Sequence, residues 1–151
     1  MSTFQLHPRL QQDCFKVGRF ALSQILMMND SQYPWFILVP ERDGIGEIYQ
    51  LEPNDRQQLT VESCLLAEKL QEIYRPDKLN IAAIGNLVPQ LHVHHVARYR
   101  TDPVWPAPIW GKLPPLPYAE QEAQLRIARL RDSLREHLTE PLDRLEANDN
   151  Q

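Results

Sequence analysis

The sequence predicts an α+β domain in which one long helix and a C-terminal helix pack on an antiparallel sheet. Short runs rich in aromatic and β-branched residues alternate with turn-forming residues, and two longer segments carry leucines at helical spacing. The elements follow the order strands, helix, strands, helix. The length of 151 residues fits one domain, because domains cluster at roughly 100–150 residues.

Within this single domain, residues 1–151, we expect three parts. A core covers about residues 10–100. An extension rich in proline and tryptophan, together with the C-terminal helix, covers 101–139. A polar tail covers 140–151, where we expect the chain to fray.

Apolar runs in the N-terminal part of the core predict three antiparallel strands, over residues 14–20, 22–28 and 33–39. The turn between the last two, 29–32, is made of Asn, Asp, Ser and Gln, which favour turns. The third run is apolar almost throughout, which is typical of a central, buried strand. Residues 47–51 predict a short edge strand.

The long helix is predicted over residues 54–74, with Asn54 or Asp55 as its N-cap and Pro76 ending it. Two more strands are predicted over 79–84 and 90–99. The prolines of segment 101–117 exclude regular structure, but Trp105 and Trp110 indicate that it packs on the domain. A second helix is predicted over 120–138.

Composition and charge limit the possible partners and location. The net charge of −4 argues against a non-specific nucleic-acid binder, although a phosphate site can be built from backbone N–H groups and imidazoles. The cysteines, Cys14 and Cys64, match no zinc spacing, which favours a reduced, cytoplasmic protein. The chain begins without a signal-peptide pattern and has no apolar run of about 18 residues, so no membrane association is expected.

The most informative segment is a histidine cluster on the last predicted strand, residues 90–98. Alternate side chains of a strand share a face, so Gln90, His92 and His94 are expected on one face and His95 on the other. Along the strand, His92 and His94 would lie about 7 Å apart.

Three interpretations of the cluster compete. The histidines could belong to a solvated strand face without a specific role. His92 and His94 could bind zinc, but the segment supplies no obvious third ligand. Alternatively, one imidazole could be a nucleophile, because histidine is largely unprotonated at neutral pH and attacks phosphorus well.

The segment resembles the signature of the histidine triad superfamily, which reads His-x-His-x-His followed by apolar residues. Gln90 takes the place of the first histidine, His92 matches the middle, nucleophilic histidine, and His94 matches the third. Residues 85–89 and Arg98 fix that register. The similarity spans about residues 14–98 and includes 29–40 and 80–86, and the Trp-Pro stretch 102–110 resembles one bacterial subgroup.

The resemblance implies a HIT-like fold and an enzyme that hydrolyses or transfers at the α-phosphate of nucleotide conjugates, such as dinucleoside polyphosphates or nucleoside phosphoramidates. His92 Nε2 would form a nucleotidyl-histidine intermediate, which water or a second phosphate then resolves. A backbone carbonyl that accepts from Nδ1–H would hold His92 in the required tautomer. Gln90, His94 and Asn86 are candidate donors to the phosphoryl oxygens.

Four residues are candidates for binding the nucleotide or its phosphate, and each has a structural alternative. Asn29 matches a ribose-binding position in relatives, or it belongs to the hairpin turn. Asn80 and Asn86 could bind phosphate, or they are turn and strand-edge residues. Arg98 could contact phosphate, or it ends its strand in solvent.

The expected partner is a nucleotide substrate, and the resemblance implies a homodimer whose interface involves the helix 54–74 or the central strands. No protein-bound cofactor or metal is expected; a divalent metal, if one takes part, would be associated with the substrate. Two alternative functions stay open. The protein could bind nucleotides with weak or lost catalysis, because Gln90 cannot carry charge. It could also be a metal-binding module of His92, His94 and His95, for which a bulge would be required.

Overall fold

The computed structural model describes residues 4–139, and it confirms the α+β class with an antiparallel sheet. The tail predicted over 140–151 lies outside the described residues. Within residues 4–139, five strands form the sheet: β1 Cys14–Arg19, β2 Ser23–Met28, β3 Trp35–Pro40, β4 Lys78–Ala82 and β5 Val93–Arg98. The same described stretch contains three α-helices: α1 Pro8–Asp13, α2 Pro53–Tyr74 and α3 Glu120–Leu134.

The strand order β1-β2-β3-β5-β4 places the histidine strand inside the sheet. β5 pairs antiparallel with β3 on one side and with β4 on the other, and His94 lies opposite Ile37 and Ala82. β3 is central and buried, as its apolar run predicts. Both backbone edges of β5 are therefore hydrogen-bonded, which fixes the direction in which each of its side chains points.

Helix α2 covers one face of the sheet and forms the main core with it. Its leucines Leu59, Leu66 and Leu70 are buried against residues of the sheet that include Phe36 and Val93. Burying each such side chain contributes roughly 1.5–3 kcal/mol. Helix α3 completes the core from beside α2, with Leu130 and Leu134 fully buried.

A buried carboxylate on α2 joins this helix to the first hairpin. Glu62 is only 2% exposed, and its oxygens accept hydrogen bonds from the backbone N–H groups of Leu22 (2.9 Å) and Ser23 (3.0 Å). Gln58 donates a third hydrogen bond at 2.8 Å. The carboxylate thus satisfies two backbone donors at the turn between β1 and β2, which would otherwise be buried without partners.

The opposite face of the sheet is covered by two separate segments. Near the N-terminus, Leu6 and Leu10 pack with Ile37 of β3. Residues 101–117 form turns without a helix or strand, and Ile109 packs against Val96 of β5. No helix in the described part of the chain is long and apolar enough to cross a membrane.

The prediction of an edge strand over residues 47–51 is wrong. Ile48–Gln50 forms a single 3₁₀ turn, and the Gln50 side-chain Oε1 accepts from the N–H groups of Gly46 (2.8 Å) and Glu47 (3.0 Å). A local side chain therefore satisfies the backbone groups that a strand would present to a neighbour.

The other elements also differ from the prediction at their ends, and the differences in the histidine strand and in the two long helices have identifiable features. The strand expected from residue 90 begins at Val93, because Leu91 donates its N–H to the Ile45 carbonyl at 2.9 Å rather than to a strand. The long helix begins at Pro53 with Glu52 as its N-cap, since proline has the backbone angle that a first helical residue needs. The C-terminal helix ends at Leu134 and not at 138. Helix α1 was not predicted.

The Glu62 contacts predict a specific loss of stability. Glu62→Ala leaves two buried N–H groups without an acceptor, so we expect it to lower the free energy of unfolding by about 1.5–3 kcal/mol. Glu68→Ala, on an exposed position of the same helix, is the control and should change it by less than about 0.5 kcal/mol. Urea denaturation followed by circular dichroism measures both values. Equal stability of the two variants would contradict this role of Glu62.

Candidate active site

His92 lies just before β5, with one ring nitrogen engaged and the other available. Its Nδ1 is 2.7 Å from the carbonyl oxygen of Gln90. A carbonyl can only accept, so Nδ1 carries the proton and Nε2 keeps a free lone pair. This is the backbone contact expected from the sequence for a fixed tautomer, and it holds the ring in the form that a nucleophile needs.

The His92 ring lines a cavity of about 650 Å³. Asn86 and Gln90 line the same cavity, together with the loop around Gly46. Gly85 allows the loop to pass close to the ring: a Cβ there would lie 2.7 Å from the Val88 carbonyl oxygen and 3.6 Å from His92 Cε1. A larger residue at position 85 would therefore displace the loop next to the imidazole.

Burial keeps His92 unprotonated at neutral pH. Desolvation lowers its pKa below the ordinary 6.5, the hydrogen bond to the Gln90 carbonyl raises it in part, and the charge of nearby His7 lowers it again. The net direction is downward. The nucleophilic form of the ring is therefore the major one at neutral pH.

His94 is held in the opposite tautomer. The indole Nε1–H of Trp35 donates to His94 Nδ1 at 2.9 Å, so the His94 proton resides on Nε2, which faces the Ile84 carbonyl at 3.3 Å. Burial, and next the proximity of His92, lower the pKa of His94 to about 4. The His94 ring lies 4.9 Å from that of His92 and 5.4 Å from that of Trp110, measured between centroids.

His95 points to the opposite face, as the strand alternation predicts. Its Nδ1 donates to the Val93 carbonyl at 3.1 Å, and its Nε2 accepts from the Ser63 hydroxyl of α2 at 2.7 Å. Burial lowers its pKa to about 4. His95 therefore fastens β5 to the long helix and does not converge with His92 and His94. Among residues 4–139, no three His, Cys, Asp or Glu side chains are placed to hold a metal ion.

The Gln90 amide is occupied by the N-terminal segment. Its Oε1 accepts from the backbone N–H of His7 at 2.9 Å, and its Nε2 donates to the Gln5 carbonyl at 3.0 Å. Gln90 thus lines the cavity while its amide forms hydrogen bonds within the protein.

Three of the predicted binding residues lie away from the His92 cavity. Arg98 is buried and forms a bidentate ion pair with Asp102, at 2.8 and 3.1 Å, and donates to Asn80 Oδ1 at 2.9 Å. The Arg98 guanidinium also lies over the Trp105 ring, with its Cζ 5.6 Å from the ring centroid. Asn29 accepts from a backbone N–H and lines a second cavity of about 380 Å³. Only Asn86 of the four lies with His92.

Three residues that contact or face the histidines were not predicted from the sequence: His7, Trp35 and Trp110. Trp35 lies in the run 33–39, which the sequence predicts as a buried strand, and a tryptophan N–H in such a strand needs an acceptor, so this was a usable signal. Trp110 was expected to pack on the domain, but its contact with His94 depends on the path of an irregular segment. Nothing in the N-terminal pattern indicates that His7 reaches this site.

Comparison with known proteins agrees with these features. The family model described as the HIT domain matches residues 9–101. The chain is 48% identical to a histidine triad protein from Marinobacter aquaeolei VT8, over 89% of this chain and 98% of that one, with a TM-score of 0.86.

Two further solved structures are similar along their whole length. A histidine triad protein from Bradyrhizobium japonicum is 45% identical over 86% of this chain and 97% of that one, with a TM-score of 0.85. A histidine triad (HIT) protein from Sinorhizobium meliloti 1021 is 43% identical over 89% and 99%, with a TM-score of 0.86. No curated protein matches the chain.

The two histidines should show opposite tautomers in solution. At neutral pH we expect the proton of His92 on Nδ1 and that of His94 on Nε2, because their partners are a carbonyl and an indole N–H, respectively. Long-range ¹H–¹⁵N correlation spectra identify the protonated nitrogen of each ring. Trp35→Phe removes the donor, so His94 should then populate both tautomers while His92 keeps its own. A wild-type His94 protonated on Nδ1 would contradict this arrangement.

Proposed function

The chain belongs to the HIT domain family, and on this basis we propose that it is a hydrolase or transferase in which His92 Nε2 attacks the α-phosphate of a nucleotide conjugate. The observation that carries the proposal is the 2.7 Å contact between His92 Nδ1 and the Gln90 carbonyl. It leaves an unprotonated Nε2 on a ring that lines a cavity large enough for part of a nucleotide.

The proposed reaction has two displacements. In the first, the Nε2 lone pair forms a bond to the α-phosphorus, and the bond to the leaving group breaks with its electron pair going to that group. In the second, water or another phosphate attacks phosphorus, and the P–N bond returns its electrons to the imidazole. One difficult displacement is thereby divided into two easier ones.

Hydrogen-bond donors along the cavity support the transition state. The Asn86 side chain is exposed on the loop that passes close to the His92 ring. Its amide and the backbone N–H groups after Gly85 can meet the charge that develops on the phosphoryl oxygens. We propose Asn86 as a phosphate-binding residue.

His94 acts in this proposal as a positioning residue that stays neutral. With a pKa of about 4 and its Nε2–H directed at the Ile84 carbonyl, it has no positive charge to offer at neutral pH. Its ring packs against that of His92 and is itself fixed by Trp35. It thereby limits the orientations open to the nucleophile.

Dinucleoside polyphosphates and nucleoside phosphoramidates are the proposed substrates.

A second candidate function, nucleotide binding with weak catalysis, is favoured by one observation. Gln90 stands where the triad signature has its first histidine, and its amide is neutral and already bonded to Gln5 and His7. It adds no charge to the site. Turnover on a panel of adenylated substrates separates the two functions.

We also propose a homodimer in the cytoplasm that binds no nucleic acid. Of the two surfaces expected at the dimer interface, helix α2 keeps an exposed apolar side chain, Val61, whereas the central strands are flanked on both sides. The helix is therefore the better candidate.

Both cysteines, Cys14 and Cys64, are free thiols, which fits the proposed location in a reducing compartment.

Removal of the nucleophile should abolish both turnover and covalent labelling. We expect His92→Ala to lower kcat/KM by about 10⁴-fold or more, because a covalent mechanism cannot proceed without its nucleophile. Incubation with substrate labelled at the α-phosphorus should give an acid-labile adduct on the wild type only. His137→Ala, at an exposed histidine distant in the sequence, is the control and should retain both properties. An adduct on His92→Ala would contradict the assignment.

The acid limb of the pH profile of kcat/KM should reflect the protonation of His92. Its pKa is lowered below 6.5, chiefly by burial, and only the unprotonated ring can attack. As the pH falls through that lowered pKa, the ring gains a proton and kcat/KM should fall. The midpoint of this acid limb should therefore lie below pH 6.5. Steady-state kinetics across this range test the prediction, and a midpoint above 6.5 would contradict it.

A further inference from the structure

Two hydrogen bonds fasten the N-terminal segment to the entrance of β5. The Gln90 amide accepts from the His7 N–H and donates to the Gln5 carbonyl, so one side chain holds the backbone on both sides of Leu6. Leu6 is buried in the core against Val88 and Ile37. Apolar packing of Leu6 therefore holds the segment next to Gln90, together with the two hydrogen bonds of the Gln90 amide to His7 and Gln5. We call these two hydrogen bonds the clamp.

This docking places the half-buried His7 at the edge of the His92 cavity. His7 and His92 both line it, and His7 is close enough to influence the pKa of His92. His7 precedes the match to the HIT domain model, which begins at residue 9. His7 therefore lies outside the matched stretch.

The His7 ring has one nitrogen, Nδ1, that accepts a hydrogen bond from Arg9, and a second nitrogen, Nε2, that is left as a donor. His7 is the N-cap of α1, and its Nδ1 accepts from the Arg9 backbone N–H at 3.1 Å. A neutral imidazole that accepts at Nδ1 carries its proton on Nε2. His7 thus offers an Nε2–H donor on a ring that lines the cavity.

The composition of the cavity makes that donor important. Among the described residues that line it there is no lysine or arginine, and Glu47 contributes an acidic side chain. A phosphate bound there must be held by backbone N–H groups, the Asn86 amide and imidazoles. Since Gln90 is committed to the clamp and His92 is the nucleophile, His7 is the remaining imidazole.

We propose that His7 is a phosphate-binding residue of this site, which donates its Nε2–H to a non-bridging oxygen of the phosphate in front of His92, and that Gln90 is the positioning residue that places it there. The inference deepens the proposed function and rests on it for the identity of the ligand as a nucleotide phosphate. It assigns to residue 7 the donor that the first triad position, occupied by glutamine, does not supply.

Two substitutions at position 7 separate the donor from the helix cap. The side-chain oxygen of asparagine can replace Nδ1 as acceptor for Arg9, but His7→Asn leaves nothing at the position of Nε2. The amide nitrogen of His7→Gln can reach the position of Nε2. We expect His7→Asn to lower kcat/KM about tenfold or more with little change in the thermal midpoint, and His7→Gln to recover part of the loss. Wild-type kcat/KM in His7→Asn would overturn the proposal.

A double-mutant cycle tests the positioning role of Gln90. Gln90→Leu removes both hydrogen bonds of the clamp and should lower kcat/KM by a factor similar to that of His7→Asn. If Gln90 acts through His7, the double variant should be no worse than either single variant. Losses that multiply would show that Gln90 acts independently of His7 and would overturn this part of the proposal.

A binding measurement distinguishes failure of this inference from failure of the proposed function. AMP is titrated into the wild type and His7→Asn while the imidazole ¹⁵N resonances are followed. We expect AMP to shift His7 Nε2 and His92, and His7→Asn to weaken AMP binding about tenfold. Unmoved His7 resonances, or equal affinity of the two proteins, would overturn the inference. If AMP shifts the resonances as expected but no substrate is turned over, the proposed hydrolase activity is contradicted and His7 is supported as a phosphate ligand. If the wild type does not bind AMP, both the proposed function and the role of His7 are contradicted.

Discussion

Hydrogen bonding along both edges of β5 is the constraint from which the site follows. Because β3 and β4 pair with it, the strand cannot rotate, and its side chains alternate strictly between two environments. His95 is directed to helix α2, and His94 to the face covered by the N-terminal and Trp-Pro segments. His92 stands immediately before the first paired residue, where the ring is held by the strand entrance and still reaches a cavity.

Burial and hydrogen bonding act together on the three imidazoles. Desolvation lowers the pKa of each, so the rings stay neutral at neutral pH, and each neutral ring is then fixed by what its nitrogens contact. His92 has a carbonyl partner on Nδ1, whereas His94 has an indole donor there. The neighbouring rings of His92 and His94 therefore carry their protons on different nitrogens.

The parts predicted well from the sequence are those governed by local periodicity. Alternation along the strand placed His95 opposite His94, and leucine spacing gave the long helix almost its full length. The errors at the site concern contacts between distant segments. Residues 90–92 do not pair with a strand, because Leu91 instead donates its N–H to the Ile45 carbonyl. Arg98 is not free to bind a ligand, because Asp102 and Trp105 of the following segment contact its guanidinium. Such choices leave no periodic trace in the sequence.

The turn between β2 and β3 is completed only by residues far along the chain. The buried Asp30 carboxylate accepts from the Leu116 N–H, Asn29 accepts from the Tyr118 N–H, and the Ser31 N–H donates to the Leu116 carbonyl. A nascent chain that has emerged from the ribosome only as far as residue 101 would contain the whole matched domain, yet its turn would lack these partners. The stretch that matches the family therefore ends before the residues that complete the hydrogen bonds of its own turn.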